Sequence, residues 1–425
     1  MKRGALPTLY LLVFMDLFGF GVVLPALPFH IMNLQGHEAV WGALVAMSYS
    51  VGQLAGAPLL GRVSDRYGRR PVLIFSLIGS TAALTATGLA SDIAGLIAAR
   101  LIAGLCAGSI STAQAYIADL TEPQERARYM GLLGACMSGG FIFGPAVGGW
   151  LGEHGFQTAC FVAAAIAGVN LLMAIAFLAE SRPADKRGKN SSQQKSLEQF
   201  VTTLRSPSLG PLLWANAFAM LAFVGMEVTF PYLGKANFDL TPSSLGSVFA
   251  YTGFVSVIIQ AGLIGNLTKR FGEIALARTG VIGMAIALGS LPFVYTFVPM
   301  ILSISLLAAG SSLLTPSLSS LLSRRSAASE QGTVMGVSQG VAAGARALGP
   351  GLAGGLFDLR MFLPYAVGSL LMLLCLPMLR RGTNPAGESA DSEGADSGSA
   401  DSGSADSGSA DNDGPRTPDV APRPA

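Results

Sequence analysis

Residues 61–70 of the chain read GRVSDRYGRR, and a related stretch, GNLTKRFG, occurs 204 residues later at 265–272. Two further pairs of similar stretches follow at an offset of 205. Residues 125–131 (ERARYMG) align with 330–336 (EQGTVMG), and Gly144-Pro145 aligns with Gly349-Pro350. Self-similarity at a nearly constant spacing indicates an internal repeat. We therefore predict two homologous halves of about 200 residues each.

The composition around these stretches indicates that most of the chain lies in a membrane. Of 425 residues, 51% are apolar and 12% are charged, and the mean hydropathy is +0.53. A soluble globular domain carries about twice that charged share. Apolar runs of 18 or more residues with almost no charge are candidate membrane-spanning helices. Twelve such spans are predicted, at residues 6–29, 39–60, 72–90, 93–118, 130–151, 158–179, 209–233, 245–267, 274–293, 297–322, 334–357 and 362–379.

The predicted fold is an all-α polytopic membrane protein with two pseudo-symmetric six-helix bundles. The bundles comprise residues 1–179 and 208–380, and a basic linker, residues 180–207, joins them. Residues 381–425 contain GSADS repeats, at 398–402 and 403–407, and are strongly acidic. Such a segment cannot bury apolar surface, so we expect it to be disordered and dispensable for the function of the two bundles.

The distribution of Lys and Arg predicts the orientation. With the N-terminus inside, all but four of the 27 Lys and Arg fall on the cytoplasmic side. Lys235 and Arg360 fall outside, and Arg100 and Arg346 fall within spans. The positive-inside rule therefore places both termini in the cytoplasm, and we expect the protein to reside in a bacterial inner membrane.

These motifs resemble those of the major facilitator superfamily, in its twelve-helix drug:proton antiporter group. Residues 61–70 resemble the superfamily's loop between helices 2 and 3. Residues 16–28 (DLFGFGVVLPALP), 96–108 and 140–149 (GFIFGPAVGG) resemble its first-helix, fourth-helix and antiporter fifth-helix motifs. The run 65–149 is most similar to tetracycline exporters. Those exporters carry an acid in helix 3 where this chain has Ala83.

Two charged residues in the first half are predicted to handle protons. Asp16 lies ten residues into the first span, about 15 Å deep at 1.5 Å per residue. A carboxylate at that depth is usually functional. The alternative is that it merely joins helices through hydrogen bonds. The resemblance makes Arg100, in the fourth span, the proton-handling arginine of the antiporters. It could instead only hold the first and fourth helices together.

Glu227 and Arg346 are the charged residues predicted at mid-membrane in the second half. They could pair with each other. Alternatively, Glu227 faces the space between the halves as a second proton site or a cation-binding acid.

The basic loop between the second and third spans could be only a topology signal. The resemblance implies more: a cytoplasmic charge cluster of Asp65, Arg69 and Asp119 latches the halves in the outward-facing state. It also implies that Asp65 faces the N-terminus of the eleventh helix. The full predicted latch comprises Gly61, Asp65, Arg66, Gly68, Arg69, Arg70 and Asp119.

Small residues in the fifth span predict close helix packing, which the resemblance interprets as a rocking joint. These are Gly140, Gly144, Pro145, Gly148 and Gly149. The expected partner is the eighth span, at Ala261, Gly262 and Gly265. Ordinary helix packing is the alternative. Further polar and aromatic residues are candidates for the wall of a substrate cavity, namely Phe18, Tyr49, Gln53, Gln114, Asn216, Phe223, Tyr251, Gln260 and Gln339.

Several other classes of protein are disfavoured. The Gly-Lys pairs at 188–189 and 234–235 lack the remainder of a phosphate-binding loop, so an ATP-driven pump is not indicated. The four cysteines and three histidines have no metal-binding or catalytic spacing, and we predict no enzyme activity, metal or cofactor.

The sequence thus predicts a proton-coupled antiporter that exports an amphipathic, drug-like compound by alternating access. Its expected partners are a small-molecule substrate, protons and the lipid bilayer, without nucleic acid, and a monomer is expected. A proton-coupled exporter or permease for a native metabolite, such as a sugar or amino-acid derivative, is the alternative. A sensor that kept the fold but moves no substrate is a third possibility.

Overall fold

The computed structural model describes residues 6–36, 38–181, 197–327 and 330–380. Residues 182–196 of the predicted linker and the predicted disordered tail lie outside the described residues. The described chain folds into twelve long helical elements, which confirms the predicted all-α fold of two six-helix bundles. They are α1 (Leu6–Gln35), α2 (Ala39–Tyr67), α3 (Arg69–Leu89), α4 (Ile93–Leu120), α5 (Pro123–Glu153), α6 (Phe156–Phe177), α7 (Gly210–Phe238), α8 (Pro242–Phe271), α9 (Glu273–Phe293), α10 (Phe297–Arg325), α11 (Gln331–Leu359) and α12 (Leu363–Arg380).

Ten of these elements in the described ranges, α1 to α10, are long and apolar enough to cross a membrane. The window that qualifies α5 begins at Arg128. The element α11 is rich in glycine, and α12 contributes a shorter apolar stretch, Leu363–Leu379. Several helices run beyond the predicted spans: α2 continues to Tyr67 and α5 begins at Pro123. Apolar runs indicate only the part of a helix that lies in hydrocarbon, so polar helix ends were not predicted.

Three elements depart from a regular α-helix. A turn at Leu24 and Pro25 interrupts α1, and a break at Ala107 and Gly108 divides α4. In α8, residues Ile258–Leu263 form a π-helix between two α-helical segments. A short amphipathic helix, Leu197–Arg205, precedes α7 and packs its Phe200 ring on Gly340 of α11. This linker helix therefore rests on the second half of the molecule.

The two halves meet along two helix pairs, α2 with α11 and α5 with α8. Buried apolar side chains form two clusters in the first half and one large cluster, mostly in the second half, that also includes Met32 and Ala39 of the first half. We call the end that carries residues 61–70 the basic end and the other the opposite end. Since the pairs α2–α11 and α5–α8 run the length of the molecule, their packing at each end determines where the space between the halves opens.

Candidate functional site: the space between the two halves

At the opposite end, direct contacts join the halves. The Asp358 carboxylate at the end of α11 accepts hydrogen bonds from the backbone N–H groups of Ala39 (2.7 Å) and Val40 (2.9 Å). These groups begin α2, where backbone N–H groups lack helical partners and the helix dipole favours a negative charge. The Thr241 hydroxyl before α8 donates to the Glu153 carboxylate of α5 at 3.1 Å. Each contact bridges one half to the other.

Glycine backbones complete the opposite-end seal. A Cβ atom added to Gly149 of α5 would meet the Pro242 carbonyl oxygen of α8 at 2.5 Å, so no side chain fits there. Gly246 of α8 lies against the Pro145 carbonyl, and Gly354 of α11 against Ala43 of α2. Helices that approach this closely need small residues at the contact.

At the basic end, the same four helices separate. A Cβ atom added to Gly131 or Gly134 of α5 would meet no described atom of another element within 4 Å. The same holds for Gly262 and Gly265 of α8 and for Gly344 of α11. In the part of the chain that the structure describes, the space between the halves therefore opens at the basic end and is closed at the opposite end.

The glycines of α5 mostly face a different partner from the expected one. Gly140 and Gly144 pack on the backbone of α1 near Phe18 and Gly21, and Gly148 packs on Val22 of α1. Pro145 also lies next to Gly21. Gly149 and Pro145 contact α8, so the expected pairing of α5 with α8 is present. Gly262 and Gly265 of α8 have open space around them, and the contact expected from these two residues is not formed in this conformation.

Four polar side chains gather at mid-membrane on both sides of the space. Tyr49 of α2 lies within electrostatic range of Arg100 of α4 and of Arg346 of α11. Arg346 in turn interacts electrostatically with Glu227 of α7. The Arg346 and Glu227 side chains form no ion pair within 4.0 Å. The Arg346 guanidinium instead donates to the Met220 sulfur at 3.8 Å. We call these four residues the central constellation.

Arg100 is the most unusual member of the central constellation. Its side chain is 5% exposed, and its Nε atom has no hydrogen-bond partner among the described residues. It forms no ion pair with a described acid. Buried charges are ordinarily paired, because an uncompensated one is strongly destabilising.

Asp16 lies inside the first bundle, within electrostatic range of Tyr49. The Ser109 hydroxyl of α4 donates to Asp16 Oδ2 at 2.6 Å, and the Ser80 hydroxyl of α3 is a further hydrogen-bond partner. Asp16 does not form an ion pair with Arg100, which lies further along α4 on the other side of the break at Ala107 and Gly108. The two predicted proton-handling groups of the first half are therefore not in direct contact in this conformation.

The basic end carries the predicted charge cluster around Arg69. Its guanidinium bridges Asp65 of α2 and Asp119 of α4, at 2.9 Å each, and donates to the Ser64 hydroxyl. The Arg70 guanidinium donates to the Ile175 carbonyl at 2.7 Å, and Arg66 stacks on Tyr67. These contacts of the cluster therefore connect elements within the first half.

Two features of this loop were not predicted. The Glu180 carboxylate, placed in the linker by sequence, accepts hydrogen bonds from the backbone N–H groups of Arg69 and Arg70 and so caps α3. Gly68 has φ of 110°, a conformation that favours glycine, and its counterpart Gly272 has φ of 76°. Gly61 has open space around it.

The second half carries a charge pair at the matching position, with the charges exchanged. Glu273 begins α9 as Arg69 begins α3, and Arg324 ends α10 as Asp119 ends α4. The Arg324 Nη1 and Glu273 Oε2 atoms are 3.5 Å apart, and the Ser320 hydroxyl donates to Glu273 at 2.6 Å. The repeat therefore preserves a charge pair at this place and not the sign of each residue.

The other predicted wall residues fall into three groups. Asn216 is engaged within the second half, since its amide donates to the Ser338 carbonyl and hydroxyl of α11. Tyr251 and Gln260 of α8 hydrogen-bond Ser305 (2.9 Å) and Ser312 (3.4 Å) of α10. The remaining residues form no side-chain hydrogen bond to a described residue. Phe18, Phe223 and Gln53 are half-buried, and Gln114 and Gln339 are exposed.

Within the described residues, no group of three or more His, Cys, Asp or Glu side chains is placed to bind a metal ion.

A helical bundle whose two halves enclose a charged space closed at one end defines a membrane transporter of the alternating-access class.

Comparisons with known proteins agree with this class. The family model of the Major Facilitator Superfamily matches residues 9–350 and 221–404. The class C tetracycline resistance protein of Escherichia coli is 30% identical over 87% of this chain and 95% of its own length. Multidrug resistance protein 2 of Bacillus subtilis is 30% identical over 85% and 91%. The crystal structure of the human organic anion transporter MFSD10 superposes with a TM-score of 0.68 and 25% identity, covering 89% of this chain and 99% of that one.

The chain belongs to the major facilitator superfamily. It is a transporter with many apolar membrane-spanning helices and not an enzyme, and its relatives include tetracycline and multidrug efflux proteins.

Proposed function

We propose that the protein is a proton-coupled antiporter that exports an amphipathic, drug-like compound, with tetracycline-like compounds as the first candidates. The observation that carries the proposal is the Glu227 carboxylate. It lies at mid-membrane between the halves, is half-buried, and makes no hydrogen bond or ion pair to a described residue. An acid in that place binds either a proton or a cationic group of the substrate. When a proton and a substrate cation compete for this one carboxylate, the binding of one releases the other, which is the simplest way to exchange them.

The positive-inside rule supports a cytoplasmic location for the basic end and for both termini, and we propose that the membrane is a bacterial inner membrane. The conformation described above is then inward-facing. A cytoplasmic compound reaches the central constellation, displaces the proton from Glu227, and the halves then exchange access. A monomer suffices for this cycle, because both halves belong to one chain.

Asp16 supplies a second proton site in this proposal. The hydroxyls of Ser109 and Ser80 hydrogen-bond its carboxylate, and Ser109 begins the second segment of α4. A change in the protonation of Asp16 therefore acts on the break in α4 and, through it, on the position of Arg100.

The contacts at the two ends alternate during the cycle. At the opposite end, Asp358, Gly149 and Gly246 separate when the transporter faces outward. At the basic end, Gly131 and Gly134 of α5 then approach α8, and the Arg69 cluster approaches α11 as the latch of the outward-facing state. A free-energy bias of a few kcal/mol decides which state is populated.

Transport by purified protein in liposomes, driven by an imposed pH gradient, tests the proposal. We expect accumulation of tetracycline or another amphipathic drug that collapses when the gradient is removed. Glu227→Gln is expected to abolish uphill transport, and Asp16→Asn to reduce it at least tenfold, about 1.4 kcal/mol in coupling free energy. Asp239→Asn is the matched control, since this exposed acid at the end of α7 pairs only with Lys235 among described residues.

Three outcomes would contradict the proposal. Accumulation that persists without a pH gradient would exclude proton coupling. Full uphill export by both variants would exclude Glu227 and Asp16 as the proton sites. Absence of flux for every drug, with flux of a sugar or amino-acid derivative, would identify a metabolite transporter instead.

A further inference from the structure

We propose that the exported compound is an amphipathic zwitterion whose acidic oxygen group binds the Arg100 guanidinium and the Tyr49 hydroxyl, while its basic group faces Glu227. This inference rests on the proposed function and names the chemical class of its substrate.

Arg100 lacks the partner that a buried guanidinium requires. The residue is 5% exposed, its Nε atom has no hydrogen-bond partner among the described residues, and the guanidinium forms no ion pair with a described acid; the Cys160 and Tyr49 side chains interact with it electrostatically. The nearest predicted acid, Asp16, is instead engaged by two serine hydroxyls. A guanidinium presents a planar fork of donors that matches a carboxylate or a similar pair of oxygens. The missing partner is therefore an anionic oxygen group supplied from outside the chain.

Helix packing places Tyr49 beside Arg100. Gly104 of α4 lies directly against the Tyr49 carbonyl and the Gln53 amide nitrogen, so no side chain separates the two backbones. Arg100 is four residues before Gly104 and lies on the same face of α4. The Tyr49 ring packs on Phe20 at 5.1 Å between ring centres, and its hydroxyl has no hydrogen-bond partner among the described residues. The Tyr49 ring is thus held in place, and its hydroxyl is available to donate a hydrogen bond next to the Arg100 guanidinium. Two such neighbouring donors can bind an acidic oxygen group.

The second half supplies the complementary charge. Gly351 of α11 lies 3.0 Å from the Met47 sulfur of α2, measured from an added Cβ atom, which brings α11 alongside the Tyr49 region. Arg346 is on this stretch, and Glu227 interacts with it electrostatically without a direct ion pair. The central constellation thus offers two cations, Arg100 and Arg346, and one carboxylate, Glu227, which is within electrostatic range of Arg346 but forms no hydrogen bond or ion pair with a described residue.

The coupling scheme requires both charges on the substrate. A purely anionic compound would stabilise a proton on Glu227 and would travel with it, which is the opposite of exchange. A purely cationic compound would displace the proton but would leave Arg100 uncompensated. Only a compound with both groups satisfies Arg100 and still competes with the proton at Glu227.

Binding of matched acid and ester compounds to the purified protein tests this inference. The probes are norfloxacin and its ethyl ester, followed by a panel of other amphipathic amino acids, each with its methyl ester. We expect the acids to bind about tenfold more tightly than their esters, a difference of about 1.4 kcal/mol. Arg100→Gln and the milder Tyr49→Phe are expected to weaken binding of the acids and to change the affinity for the esters by no more than about twofold. The loss of affinity would then be confined to the acidic group.

Ester binding serves as the folding control for each variant, and Tyr49→Phe keeps the test informative if Arg100→Gln does not fold. Esters that bind as tightly as the acids across the panel would overturn the inference. Equal weakening of acids and esters in Tyr49→Phe would also overturn it, because it would indicate a structural role. Flux measurements separate the two proposals: acid preference without proton-driven export contradicts the antiporter, and export without acid preference contradicts the zwitterion.

Discussion

Among individual side chains, Asp358 makes the most direct connection between the two halves. Its two carboxylate oxygens accept hydrogen bonds from the first two backbone N–H groups of α2. The partners are more than 300 residues apart in the chain, at |i−j| of 319 and 318. In the proposed cycle this contact is lost when the opposite end opens, so it would stabilise one state and not the other.

We therefore predict that Asp358→Ala shifts the protein toward the outward-facing state. Loss of a helix-capping side chain costs about 0.5–2 kcal/mol, here from the closed opposite end alone. The measurement is the alkylation rate of a cysteine introduced at Gly134, in a background without the four native cysteines. We expect the ratio of the inward-facing to the outward-facing population to fall by about twofold to thirtyfold, and the alkylation rate to fall with the inward-facing fraction. An unchanged rate, equal to that of the control Asp239→Asn, would contradict a gating role for Asp358.

On the level of helices, α5 has different neighbours at its two ends. Near the opposite end, Gly149 is in backbone contact with α8, whereas near the basic end Gly134 has open space. One helix thus holds a closed contact and an open one, and the alternating-access proposal requires these to exchange.

Valine substitutions at these two glycines are expected to trap opposite states. Gly149→Val cannot fit against the Pro242 carbonyl and should hold the opposite end open, whereas Gly134→Val should fit this conformation and obstruct closure of the basic end. Both variants should lose transport at least tenfold, about 1.4 kcal/mol of bias. Labelling of cysteines at the two ends distinguishes them. Identical labelling patterns would show that α5 does not alternate.

The π-helix in α8 can be related to a difference in length between the two halves of the repeat. Between its flanking residues Thr241 and Gly272 the chain is one residue longer than between Glu38 and Gly68 around α2. The π-helix Ile258–Leu263 absorbs the extra residue, because its wider turn admits one more residue than an α-helical turn.

For the molecule as a whole, the transport machinery is expected to lie within residues 6–380. Residues 383–425 lie outside the described residues, and their acidic, repetitive sequence cannot supply an apolar core.

Deletion of residues 383–425 is therefore predicted to leave the initial rate of proton-driven transport within about twofold, since nothing in the central constellation is removed. The assay compares truncated and full-length protein in liposomes at equal reconstituted amounts. A loss of transport with normal folding would assign the acidic tail a role in the cycle.

Much of the fold was predictable from the sequence, because apolar length and the repeat are local properties. The twelve spans and the matching of residues 61–68 with 265–272 follow from chain spacing alone. The charge cluster of Asp65, Arg69 and Asp119 came from a resemblance and is assembled as that resemblance implied, while its latching role stays a prediction.

The sequence by itself determined that the chain spans a membrane and has two related halves, because hydrocarbon imposes strict limits on length and charge. The tertiary structure alone decided which groups meet across the halves. It separates Asp16 from Arg100, brings Tyr49 near Arg346, turns the α5 glycines toward α1, and joins Asp358 to α2. Such pairings depend on helix rotation and on which end is closed. Neither is encoded in the spacing of apolar residues, since one sequence must support both states of the cycle.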